Sequence, residues 1–156
     1  PIIALAETDA RDDLSALQPE AAVEFVANKY TQRLRLESDW SDLYAGRGAP
    51  VYSYDHLVDL SLSEPSRPYP IARSILTDWD KNPRRPGRGH VIHGSSPSKF
   101  EAWANAIIDS AQKNLFFGES VVFVSAWNEW AESAYLEPDT HRGGAFLNSL
   151  GRAVFR

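Results

Sequence analysis

The chain has no cysteine and no methionine, and its 16 basic residues are outnumbered by 21 acidic ones. Without thiols there can be no disulfide framework, no thiolate metal site and no cysteine nucleophile. That usage suits a reducing compartment. A net charge of −5 argues against nucleic acid as a partner, because neutralising phosphates takes a basic face. No apolar run reaches the roughly 20 residues that cross a bilayer, and the first residues show no secretory-leader pattern. Also lacking are the G-x-G-x-x-G and phosphate-loop patterns, which weakens the nucleotide-binding versions of an open sheet. There is no G-x-S-x-G element, and Ser125 has no evident triad partner.

What is present reads as one ordinary domain. The 156 residues are 43% hydrophobic and 24% charged, values of a globular protein. The chain opens on Ile2-Ile3-Ala4-Leu5-Ala6, a strand already under way, and lacks an initiator methionine. The expectation is a fragment of a larger protein.

Apolar strand-length runs alternate with helical patterns. Strands are expected at 1–6, 21–26, 72–77 and 121–126, the last without polar alternation and so buried on both faces, as in a parallel sheet. Helices are expected at 12–17, 52–62 and 143–154. The clearest helical stripe is Phe100, Trp103, Ile107, Ile108, Ala111 and Leu115, opened by a Ser98-x-x-Glu101 capping box and stopped near Asn114 and Gly118. Trp103, on that stripe, belongs to the core. Residues 28–50 are polar, with Trp40, Leu43 and Tyr44 available to dock a loop, and 81–98 reads as a loop. Four βα units in a row imply an α/β fold with parallel strands, as an open sheet or as half of an eightfold barrel. Both architectures collect active groups at the carboxyl ends of the strands. Asp78-Trp79-Asp80 and the stretch from Trp127 to Glu132 both lie there.

The stretch Trp127-Asn128-Glu129-Trp130-Ala131-Glu132 combines two carboxylates, an amide and two indoles. On a continuing strand Glu129 and Glu132 would face opposite ways. If the backbone turns helically after Trp127, residues three apart come together. Neighbouring carboxylates suppress one another's ionisation, leaving one acid and one base near neutral pH, as glycosidic chemistry requires. The alternative is a solvated acidic turn at a strand end. Asn128 could hold a sugar hydroxyl, and Trp127 and Trp130 could stack on sugar rings or simply cap the core. Glu137 is either a third acid of the cleft or a loop carboxylate. Trp79 and Asp80 form a second constellation with Arg84 and Arg85, whose guanidinium groups can clamp a carboxylate or phosphate. A basic loop can equally be only solvated. His90 and His93 have no carboxylate or histidine at zinc spacing beside them, so structural roles are expected, with no metal and no cofactor.

The stretch 127–132, continued by Leu136-Glu137-Pro138-Asp139, resembles the signature of WbsX-like proteins, described as glycosyltransferases of bacterial surface-polysaccharide synthesis and related to glycoside hydrolase family 99. The similarity extends to Tyr52-Ser53-Tyr54-Asp55, the segment from Trp79-Asp80 to Arg84-Arg85, and His93-Gly94 with Pro97 and Phe100. It implies a (β/α)₈ barrel of about twice this length, with this chain as the C-terminal half. It also implies that Glu129 is a base acting on the substrate's own 2-hydroxyl and Glu132 the acid/base, with retention and no enzyme nucleophile. Ser133 stands where glycine is usual, Tyr135 where histidine is common, and Lys81-Asn82 replaces Asn-Thr. These departures bear on sugar identity more than on fold.

The expected function is therefore a carbohydrate-active enzyme acting on a bacterial polysaccharide or glycan, as hydrolase or transferase. The competing expectation is a non-catalytic carbohydrate-binding or scaffold protein. A cytoplasmic location in a bacterium is expected. An isolated half barrel would leave open sheet edges, so self-association, or a need for the absent segment, is expected too.

Overall fold

The computed structural model describes residues 5–7, 19–31, 33–34 and 49–156. The expected helix at 12–17 and the docking residues Trp40, Leu43 and Tyr44 lie outside the described residues. Four parallel strands form the main sheet: β1 (Leu5–Glu7), β2 (Ala22–Glu24), β4 (Ile71–Leu76) and β7 (Val122–Ser125), side by side in that order. Each pairs with its neighbour in parallel register, for instance Ala22 with Ile71 and Leu76 with Ser125. The expected strands at 21–26, 72–77 and 121–126 are thus members of one sheet with β1; residues 1–4 of the first expected strand lie outside the described residues. This is a mixed α/β fold with several βα units.

The second expected strand ends early, because Val26 starts a short helix, α1 (Val26–Lys29). Its amide donates to the Ser74 hydroxyl at 3.0 Å, which ties the turn to β4. Two further sheets had no clear sequence signal. β3 (Val51–Ser53), β6 (Val91–His93) and β5 (Trp79–Asp80) make one, with β3 and β6 parallel and β5 antiparallel to β6. β8 (Asn128–Glu129) and β9 (Ala134–Tyr135) make an antiparallel pair. Runs of two or three residues are too short to show a period, so β3, β5 and β6 surfaced only through pairing.

Three longer helices cover the sheet. Helix α2 (Tyr54–Leu62) is capped by Ser53, whose hydroxyl accepts from the His56 amide at 3.3 Å. Helix α3 (Pro97–Lys113) starts ahead of the expected capping box: Ser96 is the cap and accepts from Lys99 N, with Pro97 in the first turn. Proline lacks the amide hydrogen that a first-turn residue leaves unused anyway. That frees Glu101 to bond Arg152 of helix α4 (Ala145–Val154) at 2.9 and 3.1 Å.

Between sheet and helices lies the core of Tyr54, Leu57, Ile75, Ile92, Phe100, Trp103, Ile107 and Phe146. Trp103 is fully buried, meets Tyr54 edge-on at 5.8 Å and donates its indole N–H to Ser61 Oγ at 3.2 Å. Leu62, Leu115 and Val154, expected on apolar stripes, are exposed; Ser61 and Ala153 are buried instead. Each of the three exposed side chains sits at or beyond a helix end, where the stripe has left the sheet.

The strongest correction concerns β7. Its unbroken apolar run implies burial on both faces, yet among the described residues it pairs only with β4, and Phe123 is 46% exposed. Val122 and Val124, on the opposite face, pack against the core. An apolar run reports the burial a strand is suited to, whereas its neighbours decide what is covered. No helix among the described residues is long and apolar enough to cross a membrane.

Candidate active site

Three main-sheet strands release their chains at one end, and a single pocket gathers the residues at and just beyond those strand ends. Phe25 comes directly after β2, Trp79 shortly after β4, Ser125 ends β7 and Ala126 follows it. The pocket they line has a volume of about 310 Å³; Lys81, Arg84, Arg85, Glu129, Glu132 and Ala134 complete its wall. Carboxyl ends of parallel strands are where α/β folds place reacting groups, because the connecting loops there are free of the sheet's own pairing. A larger cavity of about 400 Å³ lies at the other end, around the start of β4. Its charges Glu64, Arg67 and Arg73 are already engaged in ion pairs, so it offers less chemistry.

After β7 the backbone makes a helical turn, the condition under which Glu129 and Glu132 come to one side. Asn128–Glu129 pair with Ala134–Tyr135, and between them Trp130–Glu132 form a single 3₁₀ turn. Ser133 closes the turn in the left-handed region at φ 58° and donates its amide to Trp130 O. A residue with a Cβ tolerates this conformation at some cost, which is why glycine would suit the position. The Trp127 carbonyl accepts from the amides of Leu136 and Glu137, anchoring the hairpin to the end of β7.

The turn brings Glu129 and Glu132 to one cation. Arg84 Nη1 lies 3.1 Å from Glu132 Oε1 and 3.8 Å from Glu129 Oε1. Glu132 is buried, at 5% exposure, whereas the Glu129 side chain is about half in solvent. The spacing brings the two carboxylates together only where the backbone turns; the fold supplies that turn and adds an arginine between them from a loop 45 residues upstream of Glu129.

Of the other expected residues, Trp79, Arg84 and Arg85 line the pocket together with the two glutamates. Trp79 is nearly fully buried, edge-on to Phe25 at 6.2 Å and stacked on His90 at 5.9 Å. The His90 ring nitrogen Nε2 bonds to Ala27 O at 3.1 Å. Burial holds the His90 pKa below its ordinary value; the bond to Ala27 opposes that shift and nearby Lys81 reinforces it. Asp80 points its carboxylate at the Asn82 amide, 2.9 Å away, and so serves the loop turn.

Trp127, Asn128, Trp130 and Glu137 stand outside the pocket wall. Trp127, Asn128 and Trp130 are exposed. Trp130 stacks on Tyr135 with ring centroids 3.8 Å apart and planes 14° from parallel, and its N–H donates to Glu137 Oε2 at 2.6 Å. Glu137 therefore orients an exposed indole. Tyr135 stands out in the sequence only as a departure from family pattern; its role as the platform under Trp130 has no local signal. Phe25 and Lys81 were also missed, because a pocket wall is assembled from separate strand ends.

Next to this site, Asp78 receives the Trp79 amide at 2.9 Å and Arg142 Nη1 at 3.4 Å. Burial pushes its carboxyl above the usual range, against the lowering effects of the Trp79 amide, Ser95 and Arg142. A small cavity of about 130 Å³ there is lined by Thr77, Asp78, Tyr135, Asp139, His141 and Arg142.

A family model described as Glycosyltransferase WbsX matches residues 2–150. Two curated proteins, each called uncharacterized protein WxcX and drawn from two strains of Xanthomonas campestris pv. campestris, are 33% identical to the chain over 143 residues. The alignment covers 88% of this chain and 20% of theirs, so the chain spans about one fifth of the length of the curated relatives it matches. No solved structure matches.

Proposed function

Because this chain belongs to the WbsX glycosyltransferase family, we propose that it carries the catalytic end of an enzyme acting on glycosidic bonds of a bacterial polysaccharide or glycan. The observation that carries the reading is the convergence of Glu129 and Glu132 on Arg84, in a pocket at the carboxyl ends of parallel strands. The same placement supports reading the sheet as the C-terminal half of a (β/α)₈ barrel.

In this reading Glu129, the more accessible carboxylate, takes the proton from the 2-hydroxyl of the bound sugar. The resulting oxygen attacks the anomeric carbon as the bond to the leaving oxygen breaks, and Glu132 protonates that oxygen. Glu132 then takes a proton from the incoming water or acceptor hydroxyl, which opens the strained ring at the anomeric carbon. The proton held by Glu129 returns to the 2-oxygen, and configuration is retained. This scheme follows the likeness to glycoside hydrolase family 99 and differs from the usual nucleophile-plus-acid pair. Trp127 and Trp130 offer flat faces to sugar rings, Trp130 held flat by Tyr135 and Glu137. Asn128 is exposed beside them and supplies an amide for hydroxyls.

Hydrolysis and transfer differ in the second half of the reaction, by whether water or a sugar hydroxyl arrives. A hydrolase releases product from glycan and water alone; a transferase requires an activated donor. Glu129→Gln and Glu132→Gln each remove the proton transfer while keeping side-chain shape, so both should abolish turnover with glycan binding retained. Turnover persisting in both variants overturns the reading. One observation favours a non-catalytic module instead: Arg84 bridges both acids, as it would in a purely structural pair. Glycan affinity without turnover, with every donor offered, would select that alternative.

A further inference from the structure

The pocket holds three cations, Lys81, Arg84 and Arg85, against two carboxylates, Glu129 and Glu132, in a chain whose net charge is −5. Arg84 is committed to the two glutamates. Among the described residues, Lys81 and Arg85 form no ion pair with a carboxylate; Lys81 Nζ instead sits 5.8 Å over the Trp79 ring. Local positive charge is thus left over at the mouth of an acid-bearing site.

The loop that presents these cations is built. The buried Asn82 accepts the Gly87 amide on its side-chain oxygen at 2.9 Å and donates its own amide to Asp80. Lys81 N donates to His90 O, Arg85 N to Lys81 O, and Gly89 N to Arg85 O. A Cβ on Gly89 would meet the Lys81 carbonyl carbon at 2.6 Å, so only glycine lets the loop close on itself. Every one of these bonds uses backbone or short side chains. The Lys81 ammonium and the Arg85 guanidinium stay available, on a framework that need not be ordered when a ligand arrives. The same wall contains the Trp79 indole N–H, a buried donor with no acceptor among the described residues. Buried donors are seldom left unmade without a reason.

We propose that the pocket selects a sugar bearing an anionic group, carboxylate or phosphate, and that Lys81 and Arg85 hold that group beside the bond on which Glu129 and Glu132 act. The inference rests on the catalytic reading above and adds to it the charge class of the substrate. A guanidinium matches either anion with two parallel hydrogen bonds, and the ammonium adds a point charge. The two sources of this chemistry are a uronic-acid residue within the glycan and the phosphate of an activated sugar donor.

Calorimetric titration of the purified protein with four probes separates them: methyl glucuronide, glucose 1-phosphate, inorganic pyrophosphate and the neutral methyl glucoside. Charged probes should bind about ten-fold or more tighter than methyl glucoside, as expected when charge-assisted hydrogen bonds are formed. The preference should weaken as salt is raised. Preference for the glucuronide marks the uronic-acid source, and preference for the two phosphates marks the donor source. Lys81→Ala and Arg85→Ala should each erase most of the preference. Arg88→Ala, in the same loop but outside the pocket wall, should leave it intact. Equal affinity for charged and neutral sugars overturns the proposal, as does an equal loss in Arg88→Ala, or no binding of any probe. Glu132→Gln should lose turnover and keep the anion preference, and turnover of the unmodified protein keeps the two readings apart. Anion preference retained with no turnover in the unmodified protein sinks only the catalytic reading, whereas turnover without any anion preference sinks only this one.

Discussion

The carboxylate of Glu24 receives Lys29 Nζ at 2.9 Å, Tyr30 Oη at 3.0 Å, Arg73 Nε at 3.0 Å and the Ser74 amide at 2.9 Å. The carboxylate of Glu132 lies 3.1 Å from Arg84 Nη1, which it shares with Glu129. Both glutamates are buried, and both face an arginine from a distant segment. At Glu24, burial pushes the pKa up, but Arg73, Lys29 and the Ser74 amide outweigh it and hold the carboxyl below its ordinary value. Burial likewise holds the Tyr30 hydroxyl far above its usual range, with the Glu24 charge adding to the effect. The Glu24 cluster extends through Arg73 to the Ser61 carbonyl and hydroxyl, and from Ser61 to Trp103. It welds sheet to helices. The Glu132 cluster opens on a pocket and keeps hydrogen-bonding capacity for something else. Saturated polar groups hold a fold together, and unsaturated ones at strand ends are where chemistry can occur.

The sharpest way to break this contrast is to neutralise each glutamate. Glu132→Gln and Glu129→Gln should each abolish turnover, since a single positioned proton-transfer group is already worth about 10²–10⁴-fold. Thermal unfolding should barely move in either variant. A large loss of stability with turnover intact would place these acids in the same class as Glu24.

Glu24→Ala should do the opposite. It removes the carboxylate that Lys29 and Arg73 share, leaving Lys29 the longer pair to Glu64 at 3.6 Å and Arg73 its bonds to Ser61, and breaking a buried ion pair in this way costs about 3–5 kcal/mol. Urea unfolding would register this as a lower midpoint. Replacing Glu24, Lys29 and Arg73 together with apolar residues of similar volume should recover much of the loss. If the triple replacement is no better than Glu24→Ala, the network is specifying the packing rather than only satisfying charge.

A smaller effect is expected at the indole platform. Trp130→Ala removes a stacked pair of the kind worth about 0.5–1.5 kcal/mol beyond its buried area. Glycan affinity should fall while Glu129 and Glu132 chemistry persists on whatever substrate still binds. An unchanged affinity would assign Trp130 and Tyr135 to hairpin stability alone.

The mildest prediction concerns pH. The folded-state pKa of His90 lies below its unfolded value, so protonation favours the unfolded chain. The stability this neutral ring contributes is present above its ordinary value of about 6.5 and is lost as pH falls through that value toward the lowered one. Melting temperature should therefore drop between about pH 7.5 and 5.5, and His90→Gln should flatten that decline. A further drop below about pH 4.5 belongs to Glu24, whose lowered pKa makes its contribution vanish in acid.

Much of the scaffold was legible in advance. The runs 72–77 and 121–126 became β4 and β7 with small shifts, since apolar β-branched residues between turn signals leave few other choices. Trp103 was identifiable as core from its stripe, and Glu129 with Glu132 as a pair from their spacing. The start of α3 was misread by two residues because Ser96 and Ser98 are chemically equivalent caps, and Pro97 decided between them. Nothing local announced Arg84 as the bridge between the acids, or the 49-residue separation across which Arg73 finds Glu24.

Taken alone, the sequence determined the runs of the four main strands, the stripe of the long helix and the three-residue spacing of the two acids, because these depend on neighbours within a few positions along the chain. Only the tertiary structure decided that Arg84 stands between Glu129 and Glu132, that Lys81 and Arg85 are left over beside them, and that β7 exposes Phe123. Those outcomes depend on which distant segments meet. Coulombic and packing energies act through space, and no spacing along the chain encodes them.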